Sequence, residues 1–343
     1  MISARGVVKI VVVAVVVCVS LVSTAAAAVV IDTVTVGNPG NAGEGSGQSY
    51  GGYGPDRICG AVAYEYNIGK YEVTAGQYTV FLTAVAATDT YGVYNTNMSD
   101  TSLGSGITRI GSSGGYAYSV DPAFVNRPVN YVSWGDAARF ANWLHNGQPT
   151  GSQGLTTTED GAYYLNGATN NAQLLAVSHK AGATWAITSE DEWYKAAYYN
   201  PATGTYFDYP TSSDTAPGQD MADVSGNNAN YYTAPYAYPI DSGKYTTVAG
   251  EFQDSDSPYG TFDQGGNVWE WNEAIIWSSR GLRGGSFNYY DDSLLAASRD
   301  YGDPQVEYYG FGFRVSEVPE PATMSLLALG GLGMLMRRRG LRR

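Results

Sequence analysis

Hydrophobic residues fall along this chain in two unlike ways. At the ends they form unbroken runs, from Ile10 to Val22 and from Ala322 to Met336. Between those runs they are broken at short intervals by Gly, Asn, Ser, Thr and Tyr. Three interior segments carry helix signals. Thr74-Ala75-Gly76-Gln77 reads as a capping box, in which side chains at both ends of the first turn satisfy free backbone N–H groups, and its helix runs to Ala86. Ser133, with Asp136 three residues on, opens a second helix that Gly147 stops. Ala137, Ala138, Ala141 and Leu144 form its apolar stripe. Ser189-Glu190-Asp191-Glu192 opens a third through Trp193 and Ala197, ended by Asn200-Pro201. Val29–Val36, Tyr64–Val73 with a turn at Gly69, and Pro128–Val132 have strand character. The stretches 37–54, 88–122, 148–172 and 201–247 are polar and Gly-rich and read as loops. The expected fold class is α+β, with short strands, a few capped helices and much irregular structure.

Composition agrees. With 44% apolar and only 15% charged residues, the chain is neither a coiled coil, a collagen-like rod nor a charged disordered polymer. Its 29 Tyr and 43 Gly favour loops and short strands over long helices. Of its 19 Lys and Arg, the terminal segments hold Arg5, Lys9, Arg337, Arg338, Arg339, Arg342 and Arg343, leaving 12 against 32 Asp and Glu. So acidic a body repels nucleic acid, which needs clustered cations, and suits hard cations such as Ca²⁺.

The two ends read as addresses. Residues 1–28 combine a basic start, the Val-rich run and the small residues Ala25–Ala28, the pattern of a secretory signal. At the other end Val318-Pro319-Glu320-Pro321 precedes the apolar run and an Arg-rich terminus. As a helix the fifteen apolar residues reach about 22 Å, short of a bilayer core of about 30 Å unless arginines snorkel. The order of motif, apolar run and Arg cluster resembles the PEP-CTERM sorting signal of Gram-negative bacteria. That resemblance implies transient passage through the inner membrane, recognition by an exosortase, cleavage near Pro319–Pro321, and release to or display on the cell surface. An ordinary C-terminal membrane anchor is the alternative.

Cys18 leaves with the signal, so Cys59 is the body's single thiol and no intrachain disulfide can form. It is expected as a small buried residue. His145 and His179 are the only histidines, too few for a three-histidine metal site, and His145 falls near a helix C-terminus, where a cation is favoured anyway.

Six segments in order carry a second resemblance: Ile68-Gly69-Lys70-Tyr71-Glu72-Val73-Thr74; Arg127-Pro128-Val129-Asn130-Tyr131-Val132-Ser133-Trp134; Ser189-Glu190-Asp191-Glu192-Trp193; Gly266-Asn267-Val268-Trp269-Glu270-Trp271; Arg283-Gly284-Gly285-Ser286; and Gly312-Phe313-Arg314-Val315. Together they resemble the formylglycine-generating enzyme, or sulfatase-modifying factor, family. The likeness spans about residues 60–316, preceded by a strand and Gly-rich loop over 29–59 and followed by the sorting segment 318–343. It implies a formylglycine-generating-enzyme-like α+β domain related to C-type lectins.

The family's oxidase binds copper through two cysteines downstream of Gly-Gly-Ser. Here that segment reads Gly284-Gly285-Ser286-Phe287-Asn288-Tyr289 and continues without a cysteine, Tyr289 standing at the first expected position. Soft Cu(I) needs thiolates, so copper chemistry is not expected. Trp269 and Ser286 match family active-site positions, Arg299 lies in a similar Ala-x-Arg stretch, and with Tyr289 they are the candidates for a residual pocket. The resemblance also implies two structural calcium sites. One uses the carboxylates of Asp263 and Glu270 with the carbonyls of Gly266 and Val268. The other uses Asn230 and the Tyr231 carbonyl, with Asp241 and Gly243 as weaker members. Alternatively, Asn267 and Glu270 only satisfy a tight turn and the tryptophans are core. Two functions follow: a noncatalytic, calcium-stabilised binding or surface module, presenting the 88–122 and 201–247 loops to exopolysaccharide or a surface protein; or an oxidoreductase of the formylglycine-generating or nonheme-iron-enzyme-like group with altered chemistry.

Overall fold

The computed structural model describes residues 28–233 and 240–317. The signal segment and the Val318–Arg343 tail lie outside the described residues. Among those residues no helix is long and apolar enough to cross a membrane.

Two four-stranded sheets organise the body. In the first, Thr33–Val36, Tyr66–Gly69, Val315–Glu317 and Trp185–Ile187 lie side by side in that order, all antiparallel. The first and last described strands therefore lie in one sheet. In the second the order is Asp300–Gly302, Ser279–Arg283, Trp269–Ile276 and Phe311–Gly312, the last pair parallel. Small hairpins join Glu44–Ser46 to Arg57–Cys59 and Ile107–Ile110 to Ala117–Val120.

Among the described residues four α-helices complete the fold: α1 (Ala75–Val85), α2 (Trp134–His145), α3 (Asn171–Leu175) and α4 (Glu190–Tyr198). The three expected capping boxes close as read: in α2, for instance, the Asp136 N–H donates to Ser133 Oγ at 3.1 Å and the Ser133 N–H to Asp136 Oδ2 at 2.9 Å. The short α3, boxed by Asn170 and Gln173, was not expected. The mixed architecture matches the α+β expectation.

α1 and α2 meet the end of the chain through aromatic rings. Phe140 lies 5.4 Å from both Phe81 and Phe313, edge to face. Each such fully buried ring contributes roughly 1.5–3 kcal/mol relative to exposure. α2 is more enclosed than its alanine stripe suggests, since every residue from Trp134 to Leu144 is buried. Its polar members are satisfied by loops. Asn142 Nδ2 donates to the carbonyls of Thr158 and Tyr163, and Arg139 grips Glu159 and the Ala168 carbonyl. Side-chain-to-backbone bonds thus hold the 148–172 stretch without sheet pairing.

Three local expectations are corrected. Pro128–Val132 is not a strand: it makes one bridge, Pro128 to Thr74, and Tyr131 takes φ 55°, which ends extension. The first strand is shorter than Val29–Val36, and the second shorter than Tyr64–Val73. The 88–122 stretch contains the Ile107–Val120 hairpin rather than loop alone, its strands paired Ile107 to Val120 through Ile110 to Ala117, with Arg109 on it pairing with Asp89 and lying 4.5 Å from the Tyr94 ring.

Candidate functional site

Two Gly-rich turns meet where the second sheet begins. Gly266 (φ 83°) and Asn267 (φ 57°) turn the chain into the Trp269 strand. A Cβ on Gly266 would lie 2.1 Å from the Asn230 carbonyl oxygen, so only glycine fits. That carbonyl accepts the Asn267 N–H at 2.7 Å, and Gly266 N–H reaches the Gly284 carbonyl at 2.8 Å. Asn267 then works as a clamp. Its Oδ1 accepts from Thr247 N–H and Asn230 Nδ2, and its Nδ2 donates to Glu72 Oε1 at 3.1 Å.

Behind this turn lies a buried charge cluster. Arg314 holds both oxygens of Glu270, and the Trp193 indole N–H donates to Glu270 Oε2 at 2.7 Å. Asp263 takes the Gly250 N–H at 2.6 Å, and burial pushes its carboxyl up to about 6. Burial, with Asp263 next, raises Glu72 well above the carboxylate range, and its Oε2 is buried without a partner.

The candidate calcium ligands can be judged on this geometry. Asp263 and Glu270 belong to one cluster. Glu270 Oε2 already accepts two donors, whereas Oε1 accepts only the Arg314 Nη2, so Glu270 fits a cation through one oxygen rather than two. The orphaned Glu72 oxygen adds an acceptor that was not foreseen and fits the same chemistry. In the second set, Asn230 Oδ1 is likewise buried and unpartnered. The Tyr231 carbonyl, however, is taken by Gln219 Nε2, Asp241 pairs with Arg127, and Gly243 sits in an exposed turn at φ 74°. Of the side-chain oxygens in the second set, only Asn230 Oδ1 is buried without a hydrogen-bond partner. Among the described residues no group of three or more His, Cys, Asp or Glu is arranged to hold a metal.

Three of the four pocket candidates come together. Tyr289 stands edge-on to Trp269 at 5.3 Å, with Tyr53 on another side of the indole at 6.5 Å. Ser286 Oγ donates to Asn288 Oδ1 at 2.7 Å, and Tyr289 N–H to the Ser286 carbonyl. Trp269 Nε1 and the Tyr53 hydroxyl are both buried without partners. Arg299 instead turns to Glu190, its Nε 2.7 Å from Oε1 and its Nη2 2.8 Å from Oε2, and to the Pro55 carbonyl.

Cys59 is fully buried beside Arg283, whose Nη2 lies 3.2 Å from Sγ. Burial outweighs the nearby arginines and pushes the thiol up to about 11, so it is an inert packing group rather than a thiolate ligand. Sequence reasoning missed Tyr53, which lies in a loop without a motif, and the orphan on Glu72, whose burial depends on chain brought in from elsewhere. It also missed the partner of Arg314, although the Gly-Phe-Arg segment marked that arginine.

The fold and these paired turns define a sulfatase-modifying factor domain. The sulfatase-modifying factor enzyme 1-like domain matches residues 31–318, and the chain belongs to that family. The PEP-CTERM protein-sorting motif matches residues 317–339 and implies export and sorting by an exosortase. The structure is similar to Treponema denticola variable protein 1, at 19% identity and TM-score 0.51 over 84% of this chain and 95% of that one. It is equally similar to CarF, at 19% identity and TM-score 0.51 over 84% and 99%. No curated protein matches the chain.

Proposed function

We propose that this exported protein is a noncatalytic, calcium-braced binding module carried to the cell surface. The observation that supports this most is the aromatic filling of the thiol position. Tyr289 packs on Trp269 where a copper-binding member of the family needs its first cysteine, and the body's single thiol is sequestered against Arg283. Thiolates are what retain soft Cu(I), and a phenol and an indole do not replace them. The buried, unpartnered acceptors Glu72 Oε2 and Asn230 Oδ1, and the Asp263 carboxyl that burial pushes up, favour a hard oxygen-loving cation in a bracing role. After passage through the inner membrane and exosortase processing near Pro319–Pro321, the body is released or displayed, with exopolysaccharide or a neighbouring surface protein as its partner. A second reading, an oxidoreductase with altered chemistry, draws on the partnerless Trp269 Nε1 and Tyr53 hydroxyl in the same pocket.

Metal analysis of the purified exported protein separates the two. Calcium without stoichiometric copper or iron is expected, with EGTA lowering the melting temperature and Asp263→Asn abolishing that response. Stoichiometric copper or iron, or conversion of a cysteine peptide to its aldehyde, overturns the module reading. Deletion of residues 318–343 is expected to mis-sort the protein, and an unchanged location removes the sorting claim.

A further inference from the structure

The second sheet ends in a two-residue hairpin between the paired residues Ile276 and Ser279, and its first loop residue is Trp277. Such loops need a left-handed backbone at that position, which Gly and Asn supply at least cost. Trp277 instead adopts φ 54°, a strained value for a bulky residue, and is 70% exposed. Neither local propensity nor burial accounts for it. A large aromatic side chain held out at a strained tip points to contact with something outside the chain.

The surroundings narrow what that is. Trp277 stands edge-on to Tyr301, ring centroids 4.9 Å apart at 82°. The pair borders a cavity of about 300 Å³ also lined by Gln48, Tyr53, Arg299 and Asp300. One wall is aromatic, and the rest offers the Gln48 amide and the Asp300 carboxylate. The Arg299 guanidinium is already spent on Glu190 and the Pro55 carbonyl. No free cation is therefore left among these groups to neutralise a bound anion, and the acidic body repels polyanions.

From this pairing we infer that Trp277 and Tyr301 form a subsite for a neutral sugar ring. The C–H face of a pyranose lies on the electron-rich indole, while hydroxyls meet Asp300 and Gln48. Aromatic groups of this kind give area at little entropic cost, and a few directed polar groups set orientation. The inference rests on the binding-module reading and gives it a site and a ligand class: neutral glycan, rather than uronic-acid polymer or a protein face.

The test is affinity electrophoresis of the full exported protein in gels containing dextran, galactomannan or xyloglucan, with alginate as the anionic control. Retardation by at least one neutral polymer is expected, with none by alginate. Trp277→Ala and Tyr301→Ala should each weaken it at least tenfold. Trp277→Gly is the informative variant. It relieves the positive φ, so its melting temperature should rise while binding is lost, an opposition that a structural role for the ring cannot produce. Retardation by no neutral polymer, by alginate alone, or undiminished in Trp277→Gly overturns the subsite. Undiminished binding in that variant leaves the module reading standing, because the contact then lies on another surface. Copper or iron in the same preparation sinks the module reading independently of the gel.

Discussion

Arg314 and Glu270 form a two-pronged pair, Nε to Oε2 and Nη2 to Oε1 each at 2.6 Å, in a part of the core where neither side chain meets solvent. The pair joins the Gly312-Phe313-Arg314 segment to the strand that follows Gly266-Asn267. The same guanidinium also caps the Gly69 and Phe262 carbonyls, tying both sheets to one point. Removing one partner leaves a buried charge unmatched, at a cost of about 3–5 kcal/mol.

Glu270→Gln should therefore destabilise by that amount in urea unfolding. The Glu270→Gln/Arg314→Met double variant should recover part of the loss, because it removes the stranded charge as well. A double variant as unstable as the sum of the two single ones would show that the pair does not act as a unit.

Glu190 is the corresponding node on the other flank, ringed by Arg283, Arg299 and Arg57. Burial alone would raise its carboxyl, but Arg283 and Arg299 outweigh it and hold the group well below the usual carboxylate range. A depressed folded value means the contribution is fully present above the unfolded value of about 4.3 and fades as pH falls below it. Wild-type stability should drop between pH 5 and pH 3. Glu190→Gln should already be about 3–5 kcal/mol weaker at pH 7, with a flatter acid limb. Equal acid slopes in the two proteins would assign the acid sensitivity elsewhere.

Asp136 and Glu307 predict the opposite slope. Glu307 accepts from Asn95 near the start of α2, close enough to Asp136 for the two carboxyls to repel, and Asp136 in turn accepts from Ser133. Burial first, then repulsion from Asp136, pushes Glu307 up to about 8, and burial pushes Asp136 up to about 6. Raised folded values mean this contribution is present below the unfolded carboxylate range and is lost as pH rises through about 6 to 8. Glu307→Gln keeps the donor geometry of the protonated acid. It should be neutral at pH 5 and about 1 kcal/mol more stable than wild type at pH 9. Melting curves across that range check it, and parallel curves would contradict the raised carboxyl of Glu307.

The segments legible in the chain were those whose signal is local. The capping boxes at Thr74, Ser133 and Ser189 were read correctly because both bonds of each box lie within one helical turn. The absence of a cysteine after Ser286 needed no structure at all. The Pro128–Val132 expectation failed because an apolar run gives no warning that Asn130 will turn its amide to the Leu103 and Tyr309 carbonyls while Tyr131 goes left-handed. The Arg299 side chain could not be assigned, since its partner Glu190 is 109 residues away.

By itself, then, the chain determined three of its helix starts, its Gly-dependent turns, its sorting motif and the absence of a cysteine after Ser286, since each depends on residues adjacent in sequence or on side-chain identity alone. Only the tertiary structure decided which carboxylates are matched and which oxygens are stranded, that Tyr289 closes on Trp269, and that Trp277 stands out beside Tyr301. Those outcomes depend on groups brought together through space, where burial sets the strength of each charge and the partner it finds.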